Sequence, residues 1–221
     1  MALTKQTFDF LKELKDNNNR EWFVAHKASY EQASAEIKAF ITALIKEISA
    51  FDPHINTDIQ AGKCLFRIYR DIRFSKDKTP YKTWFSAGIS VDGRKLDGPE
   101  YYLHVEPGNN FFAAGYWRPD KQHLTAIRQE IDYNTEELVK VLAEGGHTVA
   151  DLSTEDKLKR PPTGYLAEDP NIELLKLKSF ILYHKFTDAE LCKASSLADL
   201  IAVTKRLFPF KQFIHQAIDQ D

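Results

Sequence analysis

Glu100-Tyr-Tyr-Leu-His-Val-Glu-Pro-Gly-Asn-Asn-Phe-Phe-Ala-Ala-Gly-Tyr-Trp117 sets two runs of aromatic and β-branched residues on either side of Pro107-Gly108-Asn109-Asn110. Proline presets the first dihedral of a turn and glycine accepts a positive one after it, so the stretch predicts a hairpin. Its strands cover Glu100–Glu106 and Phe111–Trp117. A link this short joins only antiparallel strands. In an extended chain alternate side chains share a face. Tyr102, His104 and Glu106 therefore fall on one side of the first strand, and Tyr101, Leu103 and Val105 on the other.

Upstream, Gly62–Phe74 and Thr83–Val91 have the same strand-like composition, with turn signals at Lys78-Thr-Pro80, Asp92-Gly93 and Asp97-Gly-Pro99. These predict a meander of about four strands. Ser179–Phe186 predicts one later strand. Helices flank the sheet. Thr7–Leu14 reads as a helix stopped by Asp16-Asn-Asn-Asn19, and a second starts at Asn19 or Arg20 and runs to Pro53. Phe23, Tyr30, Ala33, Ile37, Phe40, Ile41, Leu44, Ile45, Ile48 and Phe51 recur along it at helical spacing, an apolar stripe made for burial.

Beyond the sheet, helices are expected after Pro119, after Asn134 (paired with Glu137 as a capping box) and from Asp169-Pro170 to Leu175. Thr187 with Glu190 and Ser196 with Asp199 predict further capping boxes, and Pro209 is expected to divide the last helices. Residues 146–170 form the least regular stretch, of the kind that often covers a site. Helices, then a run of strands, then helices with one added strand make an α+β fold: a central antiparallel sheet packed with N- and C-terminal helices. No Gly/Ser-rich or Pro-rich linker divides the chain, so residues 1–221 read as one domain.

The 221 residues are 43% hydrophobic and 28% charged, ordinary for a globular protein. Cys64 and Cys192 are too few for a disulfide framework, which suits a reducing cytoplasm. The N-terminal residues lead to no expectation of a signal peptide, and no apolar run approaches membrane length, so no membrane partner is expected. No dinucleotide, phosphate-loop, serine-hydrolase or zinc-protease motif occurs, and no cofactor is expected. His26, His54, His123, His147, His184 and His215 show no close pair at metal-ligand spacing, and no metal is expected.

The charge is concentrated. Residues 63–82 carry Lys63, Arg67, Arg70, Arg73, Lys76, Lys78 and Lys82 against Asp71 and Asp77, a net +5 in a chain of formal charge −2. Such focusing favours a compact anion over a long nucleic-acid track. Read as a strand, residues 65–74 put Leu65, Arg67, Tyr69, Asp71 and Arg73 on one face and Phe66, Ile68, Arg70, Ile72 and Phe74 on the other. Arg70, alone on an apolar face, must meet a carboxylate or a bound anion. Guanidinium groups grip carboxylate or phosphate through two parallel hydrogen bonds. Arg67, Arg70 and Arg73 are thus the candidate anion ligands, with Lys78, Tyr81 and Lys82 closing from the turn. Asp71, His104 and Glu106 are the acid/base candidates. Trp84 and Trp117 could wall a pocket, although tryptophan is more often core.

Arg67-x-x-Arg70-Asp71-x-Arg73-Phe74, followed by Asp77-Lys78-x-x-Tyr81, is a specific arrangement. It resembles that of the uncharacterised bacterial family numbered 2461 among the domains of unknown function. Asn18-Asn-Arg-Glu-Trp-Phe23, Tyr102-Leu-His-Val-Glu-Pro-Gly108 and Leu158–Tyr165 extend the resemblance along nearly the whole chain. It implies a shared site and no particular reaction. The expected function is binding of a compact phosphate- or carboxylate-bearing ligand, with or without catalysis. The alternatives are a nucleic-acid-binding module, in which aromatics stack bases between phosphate-holding cations, and a purely structural arginine network.

Overall fold

The computed structural model describes residues 1–95 and 97–219. Backbone contacts gather the chain into two compact units. One comprises Met1–Lys95, Tyr102–Phe112 and Lys185–Ile201, and the other takes the remaining described residues. The chain is α+β, with one open antiparallel sheet of four strands: β1 (Phe85–Ile89), β2 (Glu100–Val105), β3 (Asn110–Tyr116) and β4 (Phe180–Phe186), in the order β1-β2-β3-β4.

In the first unit, α1 (Lys5–Asp16) buries Phe8, Phe10, Leu11 and Leu14, while α3 (Lys27–Ile48) buries Ala33, Ile37, Phe40, Ile41, Leu44, Ile45 and Ile48. The predicted stripe is core, each large side chain contributing about 1.5–3 kcal/mol through burial. Ile37 and Ile41 meet Phe85, Ala87, Leu103 and Val105, so α3 covers the apolar face of β1 and β2. The opposite face of β2 is left to Tyr102 and His104.

The expected single helix from residue 19 or 20 is broken into α2 (Arg20–Ala25) and α3 at His26, whose Nδ1 lies 2.8 Å from the Trp22 carbonyl oxygen and whose ring stacks on Trp22. The three asparagines before α2 have separate tasks. Asn17 closes α1 by donating to the Glu13 carbonyl, and Asn19 caps α2 by accepting from the Trp22 N–H at 2.9 Å. Asn18 donates to the Tyr81 carbonyl at 3.0 Å and accepts from the Tyr81 N–H at 3.1 Å.

The hairpin of β2 and β3 turns as its sequence predicts. Asn109 N–H donates to the Glu106 carbonyl across Pro107 and Gly108, and Gly108 has φ +75°.

The arginine-bearing segment is not the expected first strand of the sheet. After α4 (Ala61–Cys64) it touches β1 only at Leu65 and Phe66, then folds back on residues 80–82 in an irregular hairpin. Phe66 N–H donates to Ser86 O, Arg70 N–H to Pro80 O and Lys82 N–H to Ile68 O. Local side chains compete with the ladder beyond that point. Asp71 accepts from Arg73 N–H, Asp77 from Thr79 N–H, and Lys78 Nζ donates to Ile72 O. The predicted alternation holds from Phe66 to Arg73, where Ile68 is buried and Phe66, Arg70 and Ile72 half-buried while Arg67, Tyr69, Asp71 and Arg73 are exposed; it fails at the ends, with Leu65 half-buried and Phe74, expected on the buried face, 95% exposed.

In the second unit, α5 (Lys121–Tyr133) and α6 (Thr135–Glu144) bury Ile127, Ile131, Leu138 and Leu142. Asn134 precedes α6 without the expected capping bond, donating instead to Glu130. The irregular stretch after Gly145 is tied down rather than loose. Ser153 N–H donates to Ile181 O, and residues 156–158 pair with 176–178 just beyond α7 (Ile172–Leu175). Gly115 of β3 has φ +134°, and a Cβ there would lie 1.9 Å from the Phe180 carbonyl oxygen, so β4 passes where only glycine leaves room.

Thr187 and Glu190 form the predicted capping box of α8 (Asp188–Leu191). The final helix α9 (Ser196–Ile218) runs unbroken through Pro209, contrary to the expected division. Its buried Leu207, Phe210, Phe213 and Ile214 hold one stripe through the proline, which forfeits a single backbone bond. Ser195, not Ser196, bonds Asp199 at its start.

Candidate functional site

Of the six cations between Arg67 and Lys82, three have internal partners. Arg70 meets Asp77 and Thr79, as its place among apolar neighbours requires. Arg73 makes a bidentate pair with Asp71, Nε to Oδ1 at 3.0 Å and Nη2 to Oδ2 at 2.7 Å. Lys78 donates to Ile72 O at 2.9 Å. The hydrogen bonds from Arg73 and Arg70 hold the carboxyls of Asp71 and Asp77 down at about 2. Asp71 is therefore a poor proton acceptor near neutrality. Tyr81 is buried against Phe23, ring centroids 4.0 Å apart, and braces the hairpin base.

Arg67 and Lys82 form neither an ion pair nor a hydrogen bond with any described residue. A third cation joins them that the sequence did not single out. Arg94, in the 3-10 turn Gly93–Lys95, uses Nη1 on the carbonyls of Gly62, Lys63 and Leu65, at 3.2, 2.8 and 2.8 Å. Its other nitrogens bond to none of the described residues. Lys82 Nζ and Arg94 Cζ stand 5.5 and 5.9 Å from the centroid of the Phe66 ring. Lys82 is half-buried, and its pKa is lowered first by burial and then by the charges of Arg67 and Arg94. Three like charges therefore converge with no carboxylate within 4.0 Å among the described residues.

Next to them lies the face of β2 opposite α3, with His104 buried and Tyr102 and Glu106 half-buried. Tyr102 packs 6.1 Å from Phe66, and the His104 ring stacks on Phe111 at 4.7 Å and 10° and lies 5.6 Å from Trp84. His104 Nε2 is 3.3 Å from Glu106 Oε2, and its Nδ1 is 3.4 Å from the Tyr102 hydroxyl. Glu106 is itself held by Asn109 Nδ2 at 2.8 Å and Thr83 Oγ1 at 3.4 Å. Burial lowers the His104 pKa, against the opposing pull of Glu106, with Lys82 adding to the lowering. His104 is thus a neutral imidazole near pH 7. Glu106 also borders a hollow of about 530 Å³ with Lys12, Lys15 and Asp188.

The fold thus divides the sequence-predicted set. Arg67, Lys82, His104 and Glu106 lie together; Arg70, Asp71, Arg73 and Lys78 shape the turn; Tyr81 packs at its base. Trp84 borders the face, whereas Trp117, in the other unit, is 45% exposed beside the guanidinium of Arg118. Arg94 went unnoticed because nothing local marks it, its role arising from carbonyls some thirty residues upstream.

No curated protein and no solved structure matches the chain. A family profile matches residues 6–213, nearly its whole length, and the chain belongs to that family, described as conserved hypothetical protein (DUF2461).

Proposed function

We propose that this protein binds a compact phosphate- or carboxylate-bearing ligand over the face bounded by Arg67, Lys82 and Arg94, with His104 and Glu106 positioned for proton transfer. The observation that carries the reading is that Lys82 and Arg94 stand over Phe66, with the charge of Arg67 bearing on Lys82, and that none of the three has a carboxylate partner among the described residues. Like charges repel at this separation, and a bound anion relieves the repulsion while supplying the acceptors that guanidinium groups lack. Arg70, Arg73, Lys78 and Asp71 set the shape of the turn that presents Arg67, and Tyr81 anchors its return.

The test is the melting temperature of the purified protein in phosphate, sulfate, sugar phosphates, nucleotides, dicarboxylates and short oligonucleotides at two salt concentrations. A ligand at 100 times its dissociation constant adds about 2.7 kcal/mol. A selective small-anion response that disappears in Arg67→Ala and Lys82→Ala is expected. Equal responses in the variants and the parent would overturn the assignment.

A second reading, a contact with single-stranded nucleic acid, is favoured by Phe74. This side chain is 95% exposed beside the Arg73 guanidinium. Stabilisation by oligonucleotides alone, lost steeply with salt, would favour it.

A further inference from the structure

Tyr102, His104 and Glu106 form a hydrogen-bonded line along one face of β2, and its end lies beside the ring over which two of the cations stand. The direction of the line follows from chemistry. A carboxylate only accepts, so His104 Nε2 carries the proton shared with Glu106. In a neutral imidazole Nδ1 is then the acceptor, and the Tyr102 hydroxyl donates to it. This is the order of a carboxylate–histidine–hydroxyl triad, in which the carboxylate sets the tautomer, the imidazole is the base and the hydroxyl is the group activated. Asn109 and Thr83 hold Glu106, while Phe111 and Trp84 confine the His104 ring, so the base has little freedom to turn. The separations of 3.3 and 3.4 Å are at the long end of hydrogen-bond range, which in an unliganded site is compatible with contacts that tighten around a substrate.

We infer that Tyr102 is the nucleophile of this face, acting on a phosphate monoester held by Arg67, Lys82 and Arg94, with His104 as its base and Glu106 as the residue that positions His104. The inference rests on the anion-binding reading above and adds the substrate class. Three cations match a dianion better than a single carboxylate, and a phosphate monoester is largely dianionic near neutrality. Phe66, Trp84 and Phe111 suit an ester whose leaving group is a planar ring.

In the first step the bond from Tyr102 Oη to phosphorus forms as the bond from phosphorus to the ester oxygen breaks. The phenolic proton passes to His104 Nδ1, and the ester oxygen leaves with the bonding electron pair. Water then attacks the tyrosyl phosphate. The imidazolium returns its proton to the phenolic oxygen, and dihydrogen phosphate departs.

p-Nitrophenyl phosphate is the probe. The parent protein is expected to release nitrophenolate and, after an acid quench, to carry phosphate on the peptide containing Tyr102. Release falls about a hundredfold or more in Tyr102→Phe and His104→Ala. Glu106→Gln lowers kcat and leaves KM in place, as expected of a residue that acts only through His104. Inorganic phosphate, read by melting temperature, separates the two readings. Stabilisation by phosphate with no nitrophenolate release, or with release unchanged in Tyr102→Phe, overturns the role of Tyr102 and leaves anion binding standing. Neither stabilisation nor release overturns both. Phosphate found on a different residue overturns the nucleophile assignment even if Tyr102→Phe does not fold, since that result comes from the parent chain.

Discussion

Arginines at successive three-residue steps, Arg67, Arg70 and Arg73, meet different fates, and the neighbouring acids decide which. Arg73 lies two residues from Asp71 and closes a bidentate pair with it; Arg70 reaches Asp77 around the turn. Arg67 makes no ion pair with any described residue, and its charge is felt by Asp71 and Lys82. A different carboxyl carries a pH dependence. Burial alone lifts Glu100 from its ordinary 4.5 to about 7. Below about pH 4.5 the folded and unfolded chains both hold that proton. Between about 4.5 and 7 only the unfolded chain releases it, so stability falls as pH rises; above about 7 both are ionised and the loss is constant. Glu100→Gln should therefore stabilise the protein progressively across that window relative to the parent, by about 2–4 kcal/mol at pH 8 compared with pH 4. Denaturant titrations at the two pH values measure it. A constant difference would mean that Glu100 is solvated.

At the scale of elements, the hairpin 65–82 takes its form from side chains as much as from backbone pairing. Its strand-like composition was legible, and so was its alternation of exposed and buried residues from Phe66 to Arg73, though not the exposure of Phe74. The failure of the ladder past Arg70 was not, because Asp71, Asp77 and Lys78 bond to local backbone in a geometry that only a formed turn offers. Asn18 substitutes for a missing strand by pairing twice with the backbone of Tyr81. Asn18→Ala should cost about 1–3 kcal/mol and loosen the segment that presents Lys82, read as a lower melting temperature with faster amide exchange at Tyr81. Gly115→Ala should be harsher, about 3 kcal/mol or more, since the new methyl group would overlap the Phe180 carbonyl and the backbone stands at φ +134°. A melting temperature equal to that of the parent would show that β3 and β4 can separate there at little cost. The long helices gave two surprises of one kind. His26 breaks a helix that periodicity alone continues, and Pro209 fails to break one that its own chemistry should divide; in each case contacts outweigh local propensity.

For the whole molecule, a formal charge of −2 with +5 gathered between residues 63 and 82 predicts capture of a small anion that weakens only modestly with salt, in contrast to the steep loss expected of several phosphate contacts. Isothermal titration with phosphate at two ionic strengths distinguishes these. The α+β class, the Pro107-Gly108 turn, the core stripe of α3 and the need of Arg70 for a carboxylate were all determined by the sequence itself, because each depends on residues within a few positions of one another and on periodicities that burial imposes. Tertiary structure decided which cations remain without a partner, that Arg94 joins Arg67 and Lys82, and that Tyr102, His104 and Glu106 line up against them. The physical reason is range: a charge is neutralised by whatever carboxylate the fold brings within about 4 Å, and the neighbours of Lys82 (Arg67 and Arg94) and of Arg94 (the carbonyls of Gly62, Lys63 and Leu65) lie far outside the few positions that local sequence patterns relate.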